Sequence, residues 1–83
     1  MSSLQDKSID HLLNEMIESQ RHKLLQLARR LVPGLTPEDI LQPNDFPELE
    51  NHPCFRYEEG LLAGMMSVQM ALFAQRKSTG GAA

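Results

Sequence analysis

Two groups of side chains in this 83-residue chain have types and spacings that could carry out chemistry. The first is the triplet His52-Pro53-Cys54, in which an imidazole lies two residues from the single cysteine. Thiols at helix N-termini are activated by the helix dipole, and a nearby histidine can act as their base. The pair defines one hypothesis, a small thiol-dependent enzyme or redox protein using Cys54 with His52. No oxyanion site or third catalytic partner is evident, so we favour a structural cysteine.

The second group is a ladder of histidines and glutamates at helical spacing. His11, Glu15, Glu18 and His22 are separated by 4, 3 and 4 residues, which places them on one face of a helix. Such ladders build metal sites when they point into a helical bundle. Here the ladder lies opposite the apolar side of the same helix, so we interpret it as solvated, with Glu18 and His22 forming an i,i+4 pair. We expect no catalytic, metal or cofactor site.

The helix that carries this ladder is predicted over residues 4–32. Its apolar seam has spacings of 4, 3, 4, 3 and 4 and lies within about 80° of arc, as in a heptad pattern. Gln20 is the one polar position in the seam, and Met16 and Ala28 widen it. Pro33-Gly34 ends the helix, because proline lacks a donor and glycine permits a left-handed turn. The predicted core residues of the seam are Leu13, Ile17, Leu24, Leu27 and Leu31.

A proline-rich connector is predicted over residues 33–53. All five prolines fall there, so no long helix can run through it. Thr36 precedes Pro37 and two acids, the pattern of a capped helix start, and Asp45 precedes Phe46-Pro47-Glu48 in the same way. We therefore predict an ordered connector with one or two short helical turns, whose apolar residues pack against the long helices: Ile40, Leu41, Phe46 and Leu49.

A second long helix is predicted over residues 53–77, capped by Asn51 or His52 and followed by a frayed tail at 78–83. Residues 60–74 carry no charge, and their polar side chains are Ser67 and Gln69. A helix that is apolar all round is buried on all sides or lies in a membrane. Fifteen residues are fewer than the roughly 20 that a span needs. Burial by protein is therefore favoured, and a peripheral membrane protein using this helix is an alternative.

This second helix is the predicted interface. Small residues form one ridge on it, and a glycine inside a helix costs roughly 1 kcal/mol relative to alanine, which close packing against another helix could offset. The first helix can cover one side only, so a partner is expected on the other. The simplest partner is a second copy that completes a four-helix bundle, and the next is another helical protein. The predicted interface residues are Gly60, Gly64, Ser67, Ala71, Ala74, Leu61, Met65, Val68 and Leu72.

The charge is −3 overall and unevenly spread. Residues 33–59 hold seven acidic residues against one arginine. This acidic segment would repel phosphate backbones, so we expect no nucleic-acid binding, and it would attract a basic protein surface. The expected acidic partner surface comprises Glu38, Asp39, Asp45, Glu48 and Glu50.

Taken together, these features predict a single all-α domain, a helical hairpin that forms a four-helix bundle as a homodimer. One cysteine allows no internal disulfide, and the N-terminus lacks a secretory pattern, so a cytoplasmic location is expected. The architecture is similar to that of small helical-hairpin co-chaperones and adaptor proteins, including those of bacterial secretion systems. The predicted function is a non-enzymatic protein–protein interaction module.

Overall fold

The computed structural model describes the backbone of residues 3–82 and the side chains of residues 8–77. This part of the chain is helical and contains no strand. The order of elements is α1 (Ser3–Leu31), α2 (Pro37–Ile40), a 3-10 turn (Pro43–Asp45), α3 (Pro47–Glu50) and α4 (Pro53–Ala82). The predicted all-α class, with two long helices joined by short helical turns, is confirmed. α4 extends to Ala82, beyond residue 77, where the sequence placed its end.

The two long helices pack side by side and run antiparallel. Asp10 near the start of α1 contacts Arg76 near the end of α4, with Oδ1 and Nη1 2.6 Å apart. Gln20 in the middle of α1 contacts Glu58 near the start of α4. The chain therefore forms a hairpin about 49 Å long and 20 Å wide in both other directions.

The hydrophobic core lies at one end of this hairpin, which we call the connector end. There Leu24 and Ala28 of α1 pack with Leu35 and Leu49 of the connector and with Phe55 of α4. Half-buried apolar side chains surround this cluster: Leu27, Leu31, Val32, Ile40, Phe46 and Leu62. The connector is thus a third layer that covers one end of the two long helices.

The other end of the hairpin, which we call the open end, has no third layer among the described residues. Ile17 and Gln20 are buried between the long helices near the middle. Beyond them, no residue of the ranges 8–16 and 62–77 is fully buried. At the open end the two helices contact each other and leave their other sides exposed.

The first short helix of the connector has the start that the sequence predicts. The Thr36 hydroxyl accepts a hydrogen bond from the Asp39 amide at 3.3 Å, and the Asp39 carboxylate accepts one from the Thr36 amide at 3.0 Å. Pro37 occupies the first helical turn, where its missing donor costs nothing. This reciprocal pair is a capping box, which satisfies two amides that the helix itself leaves free.

The prediction that Asp45 caps the next short helix is wrong. Asp45 belongs to the preceding 3-10 turn, in which the Phe46 amide donates to the Pro43 carbonyl at 3.0 Å. Phe46 therefore takes the capping position before Pro47, and it has no side-chain oxygen to offer. The reason is Pro43, which starts a turn of its own immediately upstream.

His52 lies immediately before α4 and caps it, and Arg56 joins the start of this helix to the connector. The His52 Nδ1 atom accepts a hydrogen bond from the Phe55 amide at 3.4 Å. Arg56 donates to the Glu50 carbonyl at 2.8 Å and to the Asn44 side chain at 3.3 Å, and it pairs with Glu59 at 2.7 Å. These contacts hold the 3-10 turn and α3 against the first turns of α4.

Candidate protein interface

The long helices share one buried polar contact, which fixes how their faces are turned. Gln20 is 7 % exposed, and its side-chain nitrogen donates to both the carbonyl and the carboxylate of Glu58, at 3.0 and 2.8 Å. Lys23 also reaches this carboxylate, at 3.3 Å. The hydrogen bond from Gln20, assisted by Lys23, holds the pKa of Glu58 below its ordinary value, against the opposing effect of partial burial. This contact marks one side of the hairpin.

A second contact marks the opposite side. The Arg21 guanidinium lies 3.8 Å from the Met66 sulfur. On a helical wheel at 100° per residue, Gln20 and Arg21 fall on opposite sides of the line that joins α1 to α4. On α4, Glu58 and Met66 likewise fall on opposite sides of this line. The two contacts therefore separate the hairpin surface into a Glu58 side and a Met66 side.

From the middle of the hairpin to its open end, the Glu58 side is apolar across both helices. On α1 the exposed residues Ile9, Leu12 and Met16 project to this side, and on α4 the exposed residues Leu61 and Val68 do so. Half-buried apolar residues lie between the two exposed rows. We call this surface the apolar face, and its residues are Ile9, Leu12, Leu13, Met16, Leu61, Met65, Val68 and Leu72.

The residues predicted to form the interface line the outer surface of α4. Met65 and Leu72 are half-buried, and the other seven are exposed. A Cβ atom added at Gly60 or at Gly64 would meet nothing within 4 Å, apart from the neighbouring helix backbone. Close packing within the chain therefore does not explain these two glycines, and their role as part of an interface stays a prediction.

The predicted core seam of α1 faces α4 and the connector. Ile17 and Leu24 are buried, while Leu13, Leu27 and Leu31 are half-buried. Ala28 is fully buried, but Met16, expected to widen the seam, is 45 % exposed. Met16 belongs to a second apolar row with Ile9 and Leu12, spaced 3 and 4 residues apart. That spacing was the signal that α1 has a second apolar row, which the sequence reasoning missed.

The Met66 side of the hairpin contains a groove where the connector meets the long helices. Its volume is about 400 Å³, its floor is largely apolar, and its rim is charged. Leu41, one of the residues that line the groove, is 77 % exposed. It is lined by Glu18, Arg21, His22, Leu24, Leu25, Pro37, Ile40, Leu41, Leu62 and Met66.

The histidine–glutamate ladder lies on the solvated outer side of α1, with a different pairing from the one predicted. His11 and Glu15 are 2.8 Å apart and largely exposed. Glu18 pairs with Arg21 at 3.8 Å instead of with His22, because Arg21 lies one turn away on the same face and is a permanent cation. Within residues 8–77, no group of three or more His, Cys, Asp or Glu side chains is placed to hold a metal.

The acidic residues of the connector point outward. Glu38, Asp45, Glu48 and Glu50 are exposed, and Asp39 is half-buried because its carboxylate completes the capping box. None of these five forms an ion pair in the part of the chain that the structure describes. Their charges are therefore available to a basic partner surface.

The Cys54 thiol is free and exposed in the first turn of α4. The ring nitrogen Nδ1 of the neighbouring His52 is engaged as the helix cap, as described above. No hydrogen bond joins these two side chains, and neither residue lines the groove on the Met66 side.

Among the described residues, no helix has the length and apolar content required to cross a membrane. Comparison of the chain with models of known protein families, with curated proteins and with solved structures finds no match.

Proposed function

We propose that this chain is a non-enzymatic helical protein–protein interaction module. It pairs through the apolar face with another hairpin, either a second copy or a different helical protein, and presents the acidic connector outward. The observation that carries the proposal is the exposure of large apolar side chains on both helices of the open end, among them Leu12 at 59 % and Val68 at 52 %. Contiguous apolar patches of this kind are typical of interaction sites.

Burial of the apolar face by a partner is energetically favourable. Fully burying one large aliphatic side chain contributes about 1.5–3 kcal/mol relative to leaving it exposed. Several such side chains together approach the whole stability of a small domain, about 5–15 kcal/mol. A partner that buries the apolar face therefore gains a driving force comparable to that of folding itself.

The acidic connector adds a preference for the kind of partner. Four of its five acidic residues are exposed at the connector end, away from the apolar face, and the fifth, Asp39, is half-buried. Charges at this position accelerate the approach of a basic surface and disfavour acidic ones. This surface supports an adaptor that holds one protein through its apolar face while attracting a second.

The test is the solution mass of the wild type and of two glutamate variants, with binding of an apolar dye measured in parallel. Val68→Glu places a charge in the apolar face. Leu41→Glu is the control, because Leu41 is also an exposed aliphatic residue and lies outside that face. We expect Val68→Glu, and not Leu41→Glu, to abolish self-association.

If the partner is a different protein, the wild type alone should aggregate or bind the dye, and Val68→Glu should suppress both. A monodisperse wild-type monomer that binds no dye and is unaffected by Val68→Glu would overturn the proposal. Far-UV circular dichroism on each variant confirms that the helices remain formed.

A further inference from the structure

We infer that the apolar face is a contact between two copies of this chain packed antiparallel, and that α1 contributes to it as well as α4. This inference rests on the proposed function, whose partner it names. It goes beyond a pairing of α4 helices, because the exposed residues of α1 extend the face to a width of two helices.

The shape of the face fits a second hairpin. A single docking helix would need a groove between two helices, but here Leu13, Met65 and Leu72 fill the space between the exposed rows. A filled surface two helices wide is complementary to another of the same width, as in a four-helix bundle. Two identical faces related by a two-fold axis satisfy this requirement without any other component.

The distribution of charge determines the orientation. Residues 17–61, at the connector end, carry eight acidic and five basic side chains, whereas residues 8–16 and 62–77 carry two of each. A parallel pair would place two net negative connector ends side by side. An antiparallel pair places them at opposite ends of a particle about 49 Å long. This separation is several times the Debye length at physiological salt, which is about 8 Å. Charge repulsion therefore favours the antiparallel arrangement.

Tyr57 and Gln75 provide the test of orientation. Both are exposed, and they lie at the same angle on α4, separated by 18 residues, or about 27 Å. Along the helix axis, the point midway between them is at the height of residue 66, which is the middle of the α4 segment 61–72 that carries the apolar face. In an antiparallel pair, Tyr57 of one copy lies close to Gln75 of its partner. In a parallel pair these two positions are separated by about 27 Å along the helix axis, too far for a short cross-linker.

The experiment uses single cysteines in a Cys54→Ser background and a short bismaleimide cross-linker. Val68→Cys, near the centre of the face, should cross-link to itself in either orientation and so reports contact between copies. Tyr57→Cys and Gln75→Cys, carried on chains of different mass, should form the mixed product and little of either self-linked product. Absence of the mixed product, while Val68→Cys still cross-links the two copies, would overturn the antiparallel arrangement.

The contribution of α1 is tested by Leu12→Glu, with Gln26→Glu as the control on the side of α1 turned away from α4. Leu12→Glu should lower the dimer affinity at least tenfold in sedimentation equilibrium, and Gln26→Glu should leave it unchanged. An unchanged affinity in Leu12→Glu would overturn the role of α1.

Failure of the inference can be told apart from failure of the proposed function. A wild type that stays monomeric and gives no Val68→Cys cross-link, yet binds the apolar dye until Val68→Glu is introduced, would overturn self-pairing. The interaction module would then stand, with a different helical protein as its partner.

Discussion

Gln20 in α1 donates its side-chain amide to both the carbonyl and the carboxylate of Glu58 in α4, at 3.0 and 2.8 Å. Gln20 is the buried polar residue of the helix seam within residues 8–77. A buried amide is satisfied in one register of the two helices and would be left without partners after a slip of one turn. This pair therefore selects the alignment of the hairpin that brings the two halves of the apolar face together.

Replacing Gln20 with alanine should destabilise the fold by about 1–3 kcal/mol, because a hydrogen bond to a charged partner is lost and a gap is left in the seam. Gln26→Ala is the matched control, since Gln26 lies exposed on the same helix. Its effect should stay within about 0.5 kcal/mol. Urea unfolding followed by circular dichroism measures both, and equal effects of the two substitutions would contradict the structural role of Gln20.

The same contact predicts how stability depends on pH. Because the pKa of Glu58 is lowered in the folded chain, the unfolded state binds the proton more readily. The stabilisation from Glu58 is thus fully present above the ordinary glutamate pKa of about 4.3 and is lost as the pH falls through the lower folded value. Urea unfolding between neutral pH and pH 3 should show a shallower decline for Glu58→Gln than for the wild type.

A carbon-detected NMR titration of the Glu58 carboxyl provides the direct check. Gln20→Ala should move the pKa of Glu58 upward, toward its ordinary value, because the first cause of its lowering has been removed. An unchanged titration in that variant would mean that Lys23 alone sets the ionisation of Glu58.

Much of this architecture could be predicted from the sequence, because local signals agreed with the fold. The leucine spacing of α1, the Pro33-Gly34 stop and the Thr36 capping pattern each gave the right element. The prediction that Asp45 caps α3 was wrong because Pro43 starts a turn that uses the same residues. Residue propensity alone does not decide which of two overlapping turns forms. The partner of Gln20 could not be predicted, because it depends on the rotation of α4 about its axis.

The α4 part of the apolar face lies within the predicted interface residues, whereas the exposed α1 row was missed. The spacing of apolar residues in a sequence usually identifies one buried stripe on each helix. On α1 it identified the seam, which is the stronger of the two apolar rows of this helix. Whether a weaker row such as Ile9, Leu12 and Met16 is covered depends on where the connector packs. The connector covers the other end of the hairpin, so this row stays exposed next to the face of α4.

The glycines provide a contrast between two kinds of position. Gly64 lies within α4 with open space around it, so Gly64→Ala should stabilise the protomer by up to about 1 kcal/mol through helix propensity. Gly34 has a φ of 87°, so Gly34→Ala should destabilise it by about 1–2 kcal/mol. Both are measured by urea unfolding in the Val68→Glu background, which removes any contribution from assembly. Destabilisation by Gly64→Ala in that background would reveal a contact within the chain.

The connector should be an integral part of the folded core. Leu49 is fully buried in α3 against Phe55, although it lies in a segment of 21 residues that contains every proline of the chain. Leu49→Ala should therefore cost about 2–5 kcal/mol, the range for removing a large aliphatic side chain from a packed core. Leu41→Ala, also in the connector but 77 % exposed, should cost no more than about 0.5 kcal/mol. Urea unfolding of both variants measures these losses of stability. If Leu49→Ala lost no more stability than Leu41→Ala, the connector would be a loosely attached loop. The core at that end would then consist of the long helices alone.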